Sequence, residues 1–368
     1  MPSPSRRPLR VAYTLEQCWH DVPGGTATAA LGLARALMDL DGVELVGVAG
    51  RHRRPPAPDF APPLPVRALA IARPWLYETW NRWERPAVER ATGPVDVCHS
   101  TLAIPAPTRA ARVVTVHDVA FVHTPERFTG HGARVMRAGL ERCRAAHVVV
   151  CPSRATAGDL AELGFDAGRI RVIPWGVEAT PAADADVARV RAAYALSDRF
   201  VLFVGTVEPR KNLARLAEAA ALAELPLVIA GAAGWGAAVP PVAHARFLGF
   251  VPGADLAALY AAAAVVAYPS LQEGFGMPVA EAMAHGTPVV TSNVTATAEV
   301  AGGAAVLVDP HSAASIAAGL RAALADTDGL RERGLRRASE LTWAAAAAAT
   351  VDAYREAVEM HGEQGGAR

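Results

Sequence analysis

Short apolar runs separated by helical stretches recur in two series along this chain of 368 residues, and the alternation limits the folds that it can adopt. Runs of this length suit strands that are buried on both faces of a parallel sheet, with helices as the crossovers. The first series lies at 11–13, 43–48, 95–98, 113–116, 147–151 and 171–173. The second lies at 201–204, 227–230, 245–247, 265–268, 289–291 and 306–308. The pattern predicts an α/β protein of two doubly wound, Rossmann-like domains, facing across a cleft, with ligands at the carboxyl ends of the strands.

The boundary between the two series is a run rich in alanine, aspartate and proline at 178–186. We therefore predict a first domain at 1–177, a linker at 178–198, a second domain at 199–342 and a C-terminal helix within 343–368. Residues 344–349 of that helix are all alanine, so its periodicity does not decide which domain it packs on. Packing back onto the N-terminal domain is one of the two arrangements left open.

The bulk composition argues against several classes of protein. The net charge is zero and the two halves differ only mildly in charge, which disfavours a nucleic-acid-binding protein. The 4 cysteines have no CxxC spacing, so we expect neither a zinc site nor a disulfide framework, and we predict a reducing, cytoplasmic setting. The longest uncharged stretch, 225–245, is interrupted by prolines and glycines and predicts no membrane-spanning helix.

Lys211 is the only lysine in a chain that carries 36 Lys+Arg. A compact, strongly hydrated ammonium suits contact with a phosphate oxygen, whereas the forked guanidinium matches a carboxylate. Lys211 and Arg210 lie in the loop between the apolar run 201–204 and a predicted helix at 213–223. Anions bind well at such a position, because a helix begins with free N–H groups and the positive end of its dipole. We therefore predict a phosphate-binding role for this pair, against the alternative of solvated charges.

Glu273 and Glu281 flank a loop that follows the run 265–268 and leads into a helix with Pro278 near its first turn. The glycines of loop 274–277 allow backbone N–H groups to approach a ligand, and the two carboxylates suit paired sugar hydroxyls. Val279 occupies the third glycine position of a dinucleotide fingerprint, which disfavours a nicotinamide enzyme.

Two further motifs lie in the first half. Gly24 and Gly25 connect the first strand region to a predicted helix at 27–40 and offer backbone donors to an anion. His117 and Asp118 end the fourth apolar run, at the sheet edge where doubly wound folds bind ligands. We therefore expect His117 at the catalytic centre, although a lone histidine is more often structural.

Tryptophans alternate with arginines in the predicted helical stretch 73–90, at Trp75, Trp80 and Trp83. Core packing is the favoured use. The alternative is a surface that meets an acceptor or the inner face of a membrane, since indole and arginine suit the boundary between lipid and headgroup.

Together these motifs resemble the retaining glycosyltransferase family 4, also called glycosyl transferases group 1, over nearly the whole chain. The E-x7-E pair, Glu273 and Glu281, is the most specific element, followed by residues 204–216 and the His117–Asp118 pair. The resemblance implies the GT-B fold. Two positions depart from the family pattern: Thr206 replaces a common arginine, and Trp175 replaces a common asparagine.

The resemblance also implies roles for individual residues. Arg210, Lys211 and the N–H groups around Gly24 and Gly25 would bind the diphosphate of the donor, and Glu281 its ribose. Glu273 and loop 274–277 would hold the sugar to be transferred, with His117 near its anomeric carbon and Phe250 beside the nucleobase. The implied catalytic set is His117, Asp118 and Glu273. The implied donor-binding set is Gly24, Gly25, Arg210, Lys211, Phe250, Gly274, Phe275, Gly276, Met277 and Glu281.

The implied activity is retaining, metal-independent transfer of a hexose from a nucleotide diphosphate sugar. GDP-mannose is the favoured donor with a UDP-sugar as an option, no cofactor is expected, and the acceptor is a glycan, a lipid-linked glycan or a small molecule. Two DxD sequences, at 184–186 and 326–328, are expected to be solvated acids rather than metal ligands. A nucleotide-sugar 2-epimerase of the same fold and a non-catalytic sugar-nucleotide-binding partner subunit are the alternatives.

Overall fold

The computed structural model describes residues 7–178, 182–232 and 245–366. The chain folds into two compact units. The first contains the described residues of Met1–His123, Gly130–Gly176 and Trp343–Arg368, and the second contains those of Thr124–Thr129 and Val177–Thr342. Part of the predicted linker, 179–181, lies outside the described residues, and most of the remainder is helical.

The first unit is built on a parallel sheet with the strand order β3-β2-β1-β4-β5-β6-β7 within the described residues. Its strands are β1 Leu9–Thr14, β2 Val43–Ala49, β3 Val66–Ala68, β4 Val97–Ser100, β5 Ala111–Thr115, β6 Val148–Cys151 and β7 Ile170–Val172. Its helices include α1 Gly24–Met38, α2 Trp75–Trp83, α3 Glu89–Thr92, α4 Ala120–His123, α5 Gly130–Cys143 and α6 Arg154–Glu162. Strands β4 and β6 are buried along their whole length, and the unbroken apolar sequence of β6 predicts this.

The second unit repeats this architecture with the strand order β10-β9-β8-β11-β12-β13. Its strands are β8 Val201–Val204, β9 Leu227–Ala230, β10 Ala245–Gly249, β11 Val265–Tyr268, β12 Val289–Ser292 and β13 Val306–Val308. Its helices are α7 Asp184–Ala193, α8 Leu213–Leu222, α9 Gly253–Ala262, α10 Met277–Ala284, α11 Ala296–Ala301, α12 Ala313–Ala325 and α13 Thr327–Glu340. The prediction of an α/β fold with two doubly wound parallel sheets is confirmed.

The C-terminal helix α14, Trp343–Gly366, packs within the first unit, against α1 and strands β4 to β6. Trp343 packs so closely on α1 that a Cβ at Gly32 would lie 2.4 Å from its ring. Further along α14, the Tyr354 hydroxyl and His99 Nδ1 are 2.7 Å apart, and His99 Nε2 lies 2.8 Å from Thr115 Oγ1. Burial lowers the pKa of His99 to about 3, so this imidazole is neutral in the folded protein.

Three local predictions were wrong. Strand β3 is absent from the predicted series, because its sequence Val-Arg-Ala is partly exposed at the sheet edge and forms no apolar run. Helix α1 begins at Gly24 instead of residue 27, so both glycines lie in its first turn. The stretch 73–90 is not one helix, because α2 ends where Glu84 adopts a left-handed conformation and Pro86 follows.

Candidate active site

The strand order of the second unit identifies where a ligand of this sheet would bind. The chain leaves β8 toward β9 on one side of the sheet and leaves β11 toward β12 on the other. The loops after these two neighbouring strands therefore diverge, and the crevice between them is the usual ligand site of a doubly wound sheet. The loop after β8 carries Arg210 and Lys211, and the loop after β11 carries Glu273.

Four charged side chains from these loops form one hydrogen-bonded network. Lys211 Nζ lies 2.6 Å from Glu273 Oε1, and Arg210 Nη1 lies 3.3 Å from Glu273 Oε2. Arg210 Nε also donates to Glu208 Oε1 at 2.8 Å. Lys211 donates further to the Tyr268 hydroxyl at 2.5 Å. The sequence-predicted cations and carboxylate thus meet, with no net formal charge among the four ionisable groups.

Burial and mutual attraction set the ionisation of this network. Lys211 is 5% exposed, and burial together with the Arg210 charge lowers its pKa, while Glu273 and Glu208 act in the opposite direction. Burial alone would raise the pKa of Glu273, but the Lys211 and Arg210 charges outweigh it and leave that pKa below its ordinary value. The carboxylate of Glu273 is therefore ionised at neutral pH.

Asn212 fixes the direction of the lysine loop, and the sequence analysis missed it. This residue has a φ of 62°, a left-handed conformation that asparagine tolerates better than most residues. Its Nδ2 donates to the carbonyl oxygens of Pro269 and Pro310 at 2.9 and 2.7 Å. Leu271 N also donates to Arg210 O at 2.8 Å. The two loops are thereby tied together, which holds the cations beside Glu273.

The second carboxylate of the E-x7-E pair has its own support. Glu281 lies in α10, and its Oε2 accepts a hydrogen bond from the Tyr260 hydroxyl of α9 at 2.6 Å. Burial raises the pKa of Glu281, and the Tyr260 hydrogen bond partly offsets that rise. Tyr260 is itself buried and stacks on the His285 ring, with ring centroids 5.5 Å apart. Tyr260 is a second site residue that the sequence analysis missed, because a tyrosine on an alanine-rich helix carries no local signal.

Three of the four residues of loop 274–277 are buried, at positions 274, 275 and 276. Phe275 is 5% exposed, so its ring packs inside the second unit. Gly276 has a φ of 95°, and a Cβ there would lie 2.5 Å from Thr297 Cγ2, so both the conformation and the space require glycine. Met277 begins α10, which has no side-chain cap at its N-terminus. Phe250, after β10, is 56% exposed.

The first unit places His117 beside the carboxyl end of β4. Its Nε2 lies 2.9 Å from the carbonyl oxygen of Thr101. A carbonyl only accepts hydrogen bonds, so Nε2 carries the proton and Nδ1 of the neutral ring has the free lone pair. Burial lowers the pKa of His117. The ring contacts Trp175 at a centroid distance of 5.7 Å, so the residue that departs from the family pattern packs against the predicted catalytic histidine.

Asp118 and the glycine pair lie at the starts of two helices of the first unit. Asp118 Oδ1 accepts a hydrogen bond from Ala120 N at 3.0 Å, at the start of α4. Gly24 has a φ of 59°, which favours glycine, and α1 begins without a side-chain cap. Residues 24–26 therefore leave backbone N–H groups without a side-chain partner at the start of α1.

Comparison with known proteins identifies the family of the chain. A family model described as "Glycosyl transferases group 1" matches residues 186–340, and one described as "Glycosyltransferase Family 4" matches residues 23–180. The chain is 34% identical over 273 residues to the O-antigen chain mannosyltransferase B of Escherichia coli, covering 68% of this chain and 71% of that protein. The chain belongs to glycosyltransferase family 4. It is also 32% identical to a D-inositol 3-phosphate glycosyltransferase of Salinispora arenicola, covering 98% of this chain and 95% of that protein.

A solved structure has the same fold over nearly the whole chain. Anabaena HepE, crystallised in complex with UDP and glucose, superposes with a TM-score of 0.70 at 18% sequence identity, over 94% of this chain and 98% of that chain. The predicted GT-B fold of this family 4 glycosyltransferase is thereby confirmed.

The remaining acidic motifs of this glycosyltransferase lie at helix starts. Asp184 and Asp186 are in the first turn of α7, and Asp186 pairs with Arg189 at 3.5 Å. Asp326 immediately precedes α13 and pairs with Arg333 at 2.7 Å. In the described ranges, no three His, Cys, Asp or Glu side chains are grouped so that they could hold a metal ion. In the same ranges, no helix is long and apolar enough to cross a membrane.

Proposed function

We propose that this family 4 glycosyltransferase transfers a hexose, with mannose favoured, from a nucleotide diphosphate sugar to a glycan acceptor, with retention of configuration and without a metal ion. The observation that carries the proposal is the network of Arg210, Lys211 and Glu273 at the switch point of the second sheet. Mannose is favoured because a similar protein is an O-antigen chain mannosyltransferase, and GDP-mannose is accordingly the favoured donor over a UDP-sugar.

In this proposal, Arg210 and Lys211 bind the diphosphate of the donor. An ammonium has three N–H groups, and hydrogen bonds to Tyr268 and Glu273 account for two of those of Lys211 among the described residues. The third is available to a phosphate oxygen. Glu273 is neutralised by two cations in the free protein, so a diphosphate that engages the cations leaves the carboxylate to accept a hydrogen bond from a sugar hydroxyl.

The other donor contacts proposed for the second unit are supported by the match of their motifs to the family pattern. The N–H groups of loop 274–277 face the sugar, Glu281 binds the ribose hydroxyls, and Phe250 lies beside the base. For the first unit we propose that the N–H groups of Gly24 and Gly25 assist the diphosphate and that His117 lies near the anomeric carbon. Asp118 stays a predicted member of the catalytic set through its position next to His117.

The proposed reaction balances without a protein nucleophile. A hydroxyl oxygen of the acceptor forms a bond to the anomeric carbon as the bond from that carbon to the diphosphate oxygen breaks. The leaving phosphate takes the hydroxyl proton, so attack and departure occur on the same face and configuration is retained. Arg210 and Lys211 stabilise the charge that develops on the leaving diphosphate. Their fixed cations perform the task that a metal ion performs in other transferases.

Product analysis tests this function. The protein is incubated in EDTA with GDP-mannose, UDP-glucose, ADP-glucose or dTDP-glucose and a mannose-containing oligosaccharide, and products are analysed by mass spectrometry and NMR. We expect an α-linked product from one class of donor. Lys211→Met should abolish transfer, whereas Arg336→Gln, on exposed α13, should not change it. A β-linked product from an α-donor would rule out retention, and activity that returns only with added divalent metal would rule out metal independence.

We further propose a cytoplasmic location with an acceptor at the inner face of the membrane. Cys18, Cys98, Cys143 and Cys151 are all free and buried, which suits a reducing compartment.

A further inference from the structure

Two tryptophans of helix α2 are directed into solvent although the helix has a well-packed side. Trp75 is 68% exposed and Trp83 is 65% exposed, whereas Trp80 between them is 1% exposed. Leu76 and Tyr77 are buried together with Trp80 in one core cluster of the first unit. Core packing therefore explains Trp80 alone. The two exposed indoles are the largest apolar side chains left in water by the described part of the chain.

The two exposed indoles are the first and last residues of α2. They are eight residues apart, which at about 100° per residue separates their directions by roughly 80° and at 1.5 Å per residue separates them by roughly 12 Å along the axis. Arg82, which is also exposed, points between the directions of Trp75 and Glu78. The buried residues Leu76, Tyr77 and Trp80 pack into the core. Helix α2 therefore leaves an indole exposed at each end, with Arg82 exposed beside the second.

Four exposed arginines lie on α2, directly after it, or in the loop after β2. Arg82 and Arg85 lie at the C-terminal end of α2, and Arg53 and Arg54 lie in the loop after β2, all four exposed. That loop is fastened beside the start of α2, because Arg51 N donates to Ile71 O at 3.1 Å. Trp19 reinforces it by stacking on the His52 ring at 4.7 Å and donating to Arg54 O at 3.0 Å.

The acidic groups nearby are fewer or already paired. Glu78 lies 3.3 Å from Arg82 and is largely covered, and Glu84 lies 3.0 Å from Arg142 of α5. Asp21 is exposed and lies 3.7 Å from Arg73. Because Glu78 offsets Arg82, the excess positive charge of this region comes from Arg53, Arg54 and Arg85, which are exposed.

We propose that this basic indole surface, made of Arg53, Arg54, Trp75, Arg82, Trp83 and Arg85, docks the first unit onto an anionic phospholipid bilayer. Indoles prefer the headgroup level of a bilayer, where the ring is in apolar surroundings and the N–H stays hydrated. Arginines beside them pair with lipid phosphates and are attracted by the negative surface potential. Charge complementarity favours an anionic bilayer over a neutral one. Docking on this surface would bring the enzyme to a lipid-linked acceptor. This assignment of the acceptor class rests on the proposed function, whereas the docking itself does not.

Vesicle binding tests the surface independently of turnover. The full-length protein is floated with vesicles of phosphatidylcholine alone or of phosphatidylcholine and phosphatidylglycerol in equal parts. Wild type should float with the anionic vesicles and stay behind with the neutral ones. Trp75→Ser with Trp83→Ser should lower the partition coefficient at least tenfold. Each of Arg82→Gln and Arg85→Gln should lower it about fivefold at low salt and less at high salt.

Matched controls come from the second unit. Val294→Ser with Leu307→Ser removes two other exposed apolar side chains, and Arg336→Gln removes another exposed arginine; none should change flotation. Circular dichroism and an unchanged melting temperature establish that each variant is folded. Equal flotation with neutral and anionic vesicles, or wild-type flotation of the double tryptophan variant, would overturn the proposal. The proposal would also be overturned if the wild-type protein floated with neither kind of vesicle. If the double tryptophan variant then raised KM for a water-soluble glycan, the indoles would stack on sugar instead of binding lipid. Vesicle binding that fails while transfer persists refutes this surface and leaves the proposed function intact.

Discussion

The buried pair of Lys211 and Glu273 makes a quantitative prediction about the stability of the second unit. Their charged atoms are 2.6 Å apart, and both side chains are almost completely buried. Removing one partner of such a pair typically costs about 3–5 kcal/mol, because the other charge is left buried without compensation. In Lys211→Met, Arg210 still lies 3.3 Å from Glu273, so we expect a loss near the lower limit, about 3 kcal/mol. In Glu273→Gln, Lys211 keeps its hydrogen bond to Tyr268 but has only the more distant carboxylate of Glu208, at 3.9 Å, to offset its charge among the described residues, and we expect a similar loss of about 3 kcal/mol.

The double variant distinguishes the loss of a charge partner from a simple loss of packing. With both charges gone, neither partner is left uncompensated, while the hydrogen bond from Arg210 to Glu208 remains. The double variant should therefore lose about 3 kcal/mol in total instead of the additive 6, a coupling of roughly 3 kcal/mol. The free energies are measured by urea unfolding followed by circular dichroism. Arg333→Met, which breaks an exposed pair with Asp326, serves as the control and should cost less than about 1 kcal/mol. Losses that add to within about 0.5 kcal/mol would refute the reasoning.

Three further predictions address other parts of the molecule. Tyr260→Phe removes the hydrogen bond that favours the ionised Glu281 carboxylate, so donor KM should rise roughly tenfold with little change in kcat. The pKa of Glu281 should rise, so the acidic limb of the kcat/KM profile should move to higher pH. An unchanged pH profile would contradict a positioning role for Tyr260. His99 is neutral in the fold with a pKa of about 3 against an ordinary 6.5, so stability should fall by up to roughly 4 kcal/mol as pH drops from 6.5 toward 3. Thermal unfolding should show a flatter loss for His99→Gln, and parallel curves would disprove the assignment. Gly276→Ala forces a methyl group against Thr297 and should lower the free energy of unfolding by roughly 1–3 kcal/mol. Adding Thr297→Ser to this variant removes the contacted methyl group and should recover part of the lost stability in a thermal melt.

The alternation of apolar runs was sufficient to predict both sheets, because a strand buried on both faces has no polar positions to obscure it. The family resemblance identifies its site residues from their motifs along the chain alone. Arg210, Lys211 and Glu273 then meet in the fold because neighbouring parallel strands end at the same edge of the sheet. Strand β3 lacked any such signal, since pairing with β2 at an exposed edge requires no apolar run. The break after α2 could have been predicted from Pro86, because a proline disfavours helical backbone at the residue before it.

The supporting residues of the site could not be read from the sequence. Tyr260 and Asn212 act through hydrogen bonds to groups 21 and 98 positions away in the chain, to Glu281 and Pro310. Such contacts depend on how helices and loops pack, and neither residue type is unusual in its local context. The exposure of Trp75 and Trp83 could not be read from the sequence either. An apolar residue type does not by itself decide whether a side chain on a helix faces the core or solvent.

Calorimetric titration with nucleotide sugars tests the central claim most directly. GDP-mannose, UDP-glucose, ADP-glucose and dTDP-glucose are titrated in EDTA into wild type, Lys211→Met and the control Arg336→Gln. We predict that one nucleotide class binds wild type and the control equally, and that Lys211→Met weakens this binding roughly 10- to 100-fold, as the loss of a hydrogen bond from a charged group to phosphate implies. Equal binding by Lys211→Met, or the failure of every nucleotide sugar to bind the wild-type protein, would contradict the account.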